Sequence, residues 1–194
     1  MKLPNRIFFT GVPGSHWSAI SQDLGKIPGF NTSDYSTERE YSTRSYSGHK
    51  GAYFGPGMEF DDYLNPEYID AAWSEPGGCK IVKSHEWANK LTSITEIFPN
   101  DWIMLVYRPD MSSFAWWHEA GGFKGIKYPN YDHYKNSSGM FAAITQQNFA
   151  ILEFAREKDL SWKHYSRQWL FDNFNYGLDI KQQPFDILVT IYKK

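Results

Sequence analysis

Three short clusters in this sequence carry residue types that handle anions and protons. The first is Gly11-Val12-Pro13-Gly14-Ser15-His16-Trp17-Ser18, directly after the apolar run Arg6–Thr10 and directly before the helix-compatible Ala19–Leu24. An apolar strand, a Gly/Pro/Ser turn and a helix start are the parts of a phosphate-binding loop. Glycines let the backbone turn tightly, and the first N–H groups of a helix have no intrahelical partner and can hold an anionic oxygen. Ser15 and Ser18 add hydroxyl donors. The second cluster is Lys83-Ser84-His85, and the third is Arg108-Pro109-Asp110 with Ser112 and Ser113 close behind. A histidine titrates near neutral pH and suits a general base. A guanidinium at the end of an apolar strand requires either an internal carboxylate or an anionic ligand, and its planar fork matches a phosphate. Asp110 and Glu119 are the candidate internal carboxylates for Arg108. The plainer readings are an ordinary strand-to-helix turn for the loop, a capping or surface histidine for His85, and a first-turn helix feature for the two serines.

The elements that must position these residues follow from hydrophobic pattern and turn chemistry. Cys79–Lys83 and Trp102–Tyr107 read as strands, the latter a nearly continuous apolar run of the kind buried on both faces. The helix after the first loop is expected to run to about Lys26. Asn65-Pro66 reads as an N-cap followed by proline at the first helical position, opening a short helix through Trp73. Helices are also expected over Trp87–Phe98, Met111–Glu119, Met140–Lys158 and Arg167–Phe174, with further strands at Leu160–Tyr165 and Phe185–Tyr192. Long polar stretches at Gly29–Gly57 and Gly121–Ser138 interrupt this pattern. The glycine-rich aromatic segment Gly51–Phe60 suits a lid or pocket wall, and the second stretch carries Lys124, Lys127, His133 and Lys135. Alternating strands and helices predict an α/β fold of three layers, with a mostly parallel sheet of about five strands and helices on both faces. In such sheets ligands sit at the carboxyl ends of the strands. The three clusters are then expected on one edge.

Composition narrows the function classes. The chain has 194 residues, enough for one domain spanning 1–194 with a substantial core. A net charge of −2 gives no reason to expect nucleic acid or an anionic membrane as partner. The lone Cys79 excludes an internal disulfide framework and fits a reducing cytoplasm. No run approaches the roughly 20 apolar residues that cross a bilayer. The scattered His118, His133 and His164 lack metal-ligand spacing, so no metal is expected. Aromatic residues make up 18% of the chain; core packing is the reading for most of them, though aromatics also line pockets, and Trp116-Trp117 is read as one core ring and one facing a pocket.

In order and setting the three clusters resemble those of sulfotransferases that use 3′-phosphoadenosine 5′-phosphosulfate. That family's first loop typically reads T-x-P-K-S-G-T-T-W and holds the 5′-phosphosulfate. A K-T-H follows a later strand, and R-N-P-x-D with a downstream serine holds the 3′-phosphate. The likeness covers the core from about residue 5 to about residue 175. It implies a P-loop-like sulfotransferase fold and a cofactor site at Pro13, Gly14, Ser15, His16, Trp17, Ser18, Arg108, Ser112, Ser113 and Tyr165. It makes His85 the general base and gives Lys83 the charge on the transferring group. Pro13, Ser15, Ser18, Lys83, His85 and Arg108 fall on the family's own residue types or close to them, with Ser84 replacing threonine. Gly14 stands where the family has its loop lysine, His16 and Trp17 replace the loop glycine and first threonine, and the third motif is one residue short. No R-K-G segment follows Phe185.

The implied reaction is transfer of a sulfuryl group from 3′-phosphoadenosine 5′-phosphosulfate, as co-substrate, to a hydroxyl or amine of a small-molecule or carbohydrate acceptor. Two other classes share the features: a phosphate-loop kinase-like phosphotransferase, and a nucleotide-binding protein of the same fold without turnover. The missing Walker lysine speaks against the first, and Gly14 speaks for the second.

Overall fold

A computed structural model of the chain describes residues 2–34, 64–120, 122 and 136–193. The expectations for residues 35–63, 121 and 123–135, including the Gly51–Phe60 wall, Lys124, Lys127, His133 and Lys135, lie outside the described residues.

The strand β1 (Arg6–Gly11) lies at the middle of the sheet and buries nearly its whole length. Its neighbours are the parallel strands β3 (Cys79–Lys83) on one side and β4 (Trp102–Tyr107) on the other. A two-residue strand, β2 (Phe30–Asn31), extends the parallel set beyond β3. Beyond β4 the chain returns as β6 (Leu188–Tyr192), antiparallel to β4, and β5 (Lys163–His164) pairs antiparallel with β6 at the edge. The described residues thus form a mixed sheet of six strands, ordered β2-β3-β1-β4-β6-β5. The antiparallel return and the short β2 are what separate it from the expected sheet of about five mostly parallel strands.

Period-two alternation sorts the strand side chains to two faces. Phe8, Val82, Ile103 and Leu105 face one way. They pack on α2 (Pro66–Asp70), α3 (Leu91–Ile97), α4 (Asp110–Glu119) and α5 (Ser137–Glu157), through Ile69, Ile94, Trp117, Ile144 and Ile151. Ile7, Phe9, Ile81, Met104 and Val106 face the other way, onto Ile20 and Leu24 of α1 (Trp17–Gly25) and Trp169 and Leu170 of α6 (Arg167–Phe174). Helices cover both faces, as an α/β pattern requires.

Local chemistry explains most boundaries. The Asn65 side chain accepts from the Tyr68 N–H at 2.8 Å, with Pro66 at the first helical position, so α2 opens as its sequence reads. Asn136 and Ser166 cap α5 and α6 in the same way.

Helix α2 stops at Asp70, short of Trp73, and β6 starts at Leu188 and not at Phe185; two further differences have identifiable reasons. The stretch after β3 is not one helix. The Trp87 indole N–H donates to the Val82 carbonyl at 3.0 Å and its ring is fully buried, which ties the first turn back onto β3 as a 3₁₀ helix, His85–Asn89, before α3 begins. Strand β5 is short because Leu160 belongs to the end of α5. Its N–H donates to the Ala155 carbonyl and that of Asp159 to Arg156, with Asp159 left-handed (φ 51°). These two bonds are a Schellman cap built on an aspartate.

At the amino ends of the strands, Arg6 donates from Nε to Asp70 at 2.9 Å and from Nη1 to Asp101 at 2.8 Å, while Lys80 reaches Asp70 at 2.8 Å. Asp101 also accepts the Arg6 backbone N–H at 3.1 Å. Burial works against the charge on Asp70, and Arg6 and Lys80 outweigh it, holding that carboxyl below its ordinary range. This network ties α2, β1 and β3 to the start of β4. Asp101→Ala leaves the guanidinium half-paired and one backbone donor orphaned. It is expected to cost about 2–3 kcal/mol in urea unfolding; a loss under about 0.5 kcal/mol would mean Asp70 alone carries the network.

Candidate anion site at the strand ends

Because β3, β1 and β4 are parallel neighbours, their carboxyl ends lie side by side, and the three sequence clusters meet on one edge of the sheet. The Thr10 hydroxyl donates to the His85 carbonyl at 3.4 Å, joining the first cluster to the second. Arg108 Nη1 donates to the Gly14 carbonyl at 3.3 Å, joining the first to the third.

The loop after β1 is shaped by steric limits. A Cβ on Gly11 would lie 2.7 Å from Ser15 Oγ, so only glycine lets the turn close. Gly14 has φ +82°, and a Cβ there would stand 1.9 Å from the Ser113 carbonyl oxygen of α4. No lysine fits at this position: the loop presses its backbone against α4 where the resembled family carries a side chain. His16 is also left-handed (φ 67°) and Ser15 between them is not, so φ alternates in sign over Gly14-Ser15-His16. The Ser15 N–H is already given to the Val12 carbonyl at 3.0 Å, closing the turn, so an anion would draw on the N–H groups of Gly14 and His16. His16 is the N-cap of α1, whose side chain makes no cap bond, and no acidic residue stands in the first turn. The helix end keeps its positive character.

Around this loop the structure gathers Arg108, Asp186, His16, Trp116 and Ser112. Arg108 Nε donates to Asp186 Oδ2 at 3.1 Å, so the internal carboxylate is Asp186 and neither Asp110 nor Glu119. Asp110 instead accepts from Asn148, at 2.7 Å. Burial opposes ionisation of Asp186, and hydrogen bonds from Arg108 and Ser112 overcome it, keeping the carboxyl below its usual range. The Trp116 ring, 38% exposed, is flanked by the His16 ring at 4.2 Å and the Arg108 guanidinium at 5.7 Å. Burial, aided by the Arg108 charge, holds the His16 imidazole below its ordinary range, with Asp186 opposing. His16 Nε2 and Ser15 Oγ are buried and have no hydrogen-bond partner among the described residues.

On the β3 side, Lys83 and His85 are 2% and 1% exposed. Lys83 Nζ reaches Ser21 Oγ of α1 at 3.4 Å, and burial lowers its ammonium to about 8 against the opposing charge of Asp34. His85 opens the 3₁₀ helix capped by Ser84, and its Nε2 stands 3.2 Å from the Glu86 carboxylate.

Trp17, Ser113 and Tyr165 separate from the rim, whereas Pro13 and Ser18 stay within the loop and the first turn of α1. Trp17 is a core ring against Phe9, and Pro13 is buried in the turn. The Ser113 hydroxyl donates to the Arg108 carbonyl at 3.2 Å, making it a brace for the turn into α4. Tyr165 is fully buried between α1 and α6, where its hydroxyl donates to Asp23 at 3.1 Å and burial pushes its pKa up. Ser18 lies in the first turn of α1. Among residues that sequence patterns did not single out, Asp186 sits just before β6 and becomes visible only when β6 is known to lie beside β4. Glu86 is adjacent to His85 and shares its turn.

Among the described residues no group of three or more His, Cys, Asp or Glu side chains is arranged to hold a metal ion, and no helix is long and apolar enough to cross a membrane. The chain matches no protein-family model, no curated protein and no solved structure.

Lys83 supplies a test of this buried electrostatics. Its native pKa of about 8 lies below the ordinary 10.5, so between those values the unfolded chain binds more protons and stability rises with pH. Relative to Lys83→Met, the wild type is expected to gain on the order of 2–3 kcal/mol between pH 7.5 and pH 10 in urea titrations. Identical pH dependence in the two proteins would contradict the burial of a titrating ammonium.

Proposed function

We propose that the strand-end site binds a phosphate-bearing nucleotide and that the chain is a sulfotransferase, moving a sulfuryl group from 3′-phosphoadenosine 5′-phosphosulfate to a hydroxyl or amine of a small acceptor. The observation that carries this reading is the meeting of an uncapped helix start, a Lys/His pair and an arginine on the ends of three adjacent parallel strands. Sulfuryl transfer asks for donors around a group that bears negative charge and for a base near the attacking atom.

The residues fit those roles as follows. The Gly14 and His16 N–H groups and the α1 N-terminus supply donors for the phosphosulfate, in place of a loop lysine for which Gly14 leaves no room. Lys83 adds a cation from β3 that is still mostly charged at neutral pH. Arg108 receives the second phosphate by exchanging its contact with Asp186, and Trp116 beside it offers an exposed ring face. In the transfer step the acceptor oxygen or nitrogen forms a bond to sulfur as the bond from sulfur to the phosphate oxygen breaks. The acceptor proton passes to His85, and the Glu86 carboxylate 3.2 Å away stabilises the imidazolium. Adenosine 3′,5′-bisphosphate leaves with the electron pair of the broken bond.

A second reading, a nucleotide-binding protein without turnover, is favoured by one specific observation: Gly14, packed against the Ser113 carbonyl, leaves no room for a loop lysine to carry charge on the transferring group. Calorimetric titration with adenosine 3′,5′-bisphosphate tests the site for both. Micromolar binding by the wild type is expected, with a loss of about 2 kcal/mol or more in Arg108→Ala. No binding by folded wild type would overturn both readings and turn attention to ATP with magnesium. Binding without transfer to any acceptor would leave the second.

A further inference from the structure

The carboxylate of Asp186 stands where an anion would meet Arg108. Its Oδ2 accepts from Arg108 Nε at 3.1 Å, and the Ser112 hydroxyl of α4 donates to the same carboxylate. The guanidinium assigned above to a phosphate is therefore already engaged by an internal negative charge. The fit is incomplete. Asp186 Oδ1 is buried and has no hydrogen-bond partner among the described residues. A desolvated carboxylate oxygen without a donor is costly, and turning it out to water recovers that cost. Arg108 gains nothing from the exchange unless another anion takes over.

Arg108 does not depend on Asp186 for its position. Its Nη1 donates to the Gly14 carbonyl at 3.3 Å, and its guanidinium lies 5.7 Å from the centre of the Trp116 ring. Its backbone carbonyl is braced by Ser113 at 3.2 Å and by Asn148 at 2.8 Å. All of these contacts survive if the carboxylate leaves. The chain around Asp186 also lets it leave. Phe185 and Asp186 form the tip of a tight turn, closed by the Ile187 N–H on the Pro184 carbonyl at 3.2 Å. Both ends of the turn are pinned. Ile187 is fully buried and its carbonyl accepts the Tyr165 N–H at 3.1 Å, while the Pro184 carbonyl lies 3.2 Å from His164 Nε2. The tip itself is not: Phe185 is 89% exposed and adds no packing to hold it.

We propose that Asp186 is an autoinhibitory contact: its carboxylate is a built-in competitor for Arg108, and an anion of the phosphate class binds by displacing it toward solvent while the two ends of its turn stay fixed. The proposal rests on the reading of the strand ends as a phosphate site and adds how that site is regulated. Without a ligand, the contact spares the protein a bare desolvated guanidinium. With one, it sets a threshold, because the incoming anion must replace a charged partner and not merely water. The two roles open to Asp186 differ in sign. A carboxylate that orients Arg108 for the ligand would help binding, and neutralising it would weaken binding. A competitor hinders binding, and neutralising it strengthens binding.

Calorimetric titration of wild type, Asp186→Asn and Asp186→Glu with inorganic pyrophosphate tests the contact. Asp186→Asn keeps the shape and gives up the charge, and it is expected to bind about tenfold more tightly than wild type. Asp186→Glu keeps the charge and is expected to stay within about threefold of wild type. Equal or weaker binding by folded Asp186→Asn would overturn the proposal. A second measurement needs wild type alone, so it stands if a variant fails to fold. The Asp186 carboxylate carbon, followed by NMR, is expected to move toward the position of a solvent-exposed carboxylate as pyrophosphate saturates. A carbon that stays still while the Gly14 and His16 amides saturate would overturn the proposal. Adenosine 3′,5′-bisphosphate on the same samples separates the two claims. Pyrophosphate binding that tightens in Asp186→Asn, with no bisphosphate binding, upholds the competitor and removes the nucleotide reading. Bisphosphate bound equally by wild type and Asp186→Asn does the reverse. No binding of either probe by any of the folded proteins overturns both.

Discussion

The contact between Gly14 and the Ser113 carbonyl fixes the strand-end site. At 1.9 Å from that oxygen there is no room for even a methyl group, so the loop after β1 and the first turns of α4 meet backbone to backbone. From this contact the rest follows. The Gly14 carbonyl is turned toward Arg108, whose guanidinium donates to it and reaches Asp186. The Ser113 hydroxyl, from the same turn of α4, braces the Arg108 carbonyl. His16, held left-handed two residues on, is brought against Trp116, one helical turn beyond Ser113. A loop that carries its anion site in the backbone and in a neighbouring arginine does not need a lysine of its own, and here could not accommodate one.

The same region shows how buried charges are managed. At the amino ends of the strands Arg6 and Lys80 are matched by Asp70 and Asp101, a closed arrangement that holds elements together. At the carboxyl ends the matching is looser. Arg108 holds one carboxylate, Lys83 is depressed by burial despite Asp34, and burial together with the Arg108 charge keeps His16 below its ordinary range against the pull of Asp186. Cations that are desolvated and only partly compensated gain from an anion that joins them, whereas a closed network gains nothing. An anionic ligand would relieve the strand-end groups and leave the opposite end of the sheet unchanged. Perturbed titratable groups gathered in one place are a physical reason to read that edge as functional.

How much of this was legible in the sequence depends on how local the cause is. Strand β4, the Asn65-Pro66 start of α2 and the extent of α6 are written in apolar runs and caps within a few residues, and they fall where their sequences place them. That the three clusters share one edge followed from the general rule for parallel strands in α/β sheets, while the adjacency of β3, β1 and β4 did not. Long-range causes were not legible. The 3₁₀ turn after β3 depends on an indole bonded back to Val82, and the brevity of β5 on an aspartate accepting a left-handed cap that sequence patterns assign to glycine. The pairing of Arg108 with Asp186 spans 78 positions and needs β6 beside β4. Tyr165 matched a family position by its residue type, yet its hydroxyl is held by Asp23 inside the core.

The most direct measurement of the central claim is a backbone amide NMR titration with adenosine 3′,5′-bisphosphate, with the Arg108 Nε–H followed in the same spectra. If the strand ends form one anion site carried by the loop backbone, the amides of Gly14, Ser15 and His16 and the Arg108 side chain shift together and saturate with one dissociation constant. Amides near Arg6 and Asp101, at the opposite end of the sheet, stay still. Saturable shifts confined to other elements, or none at the loop while the protein stays folded, would contradict the account.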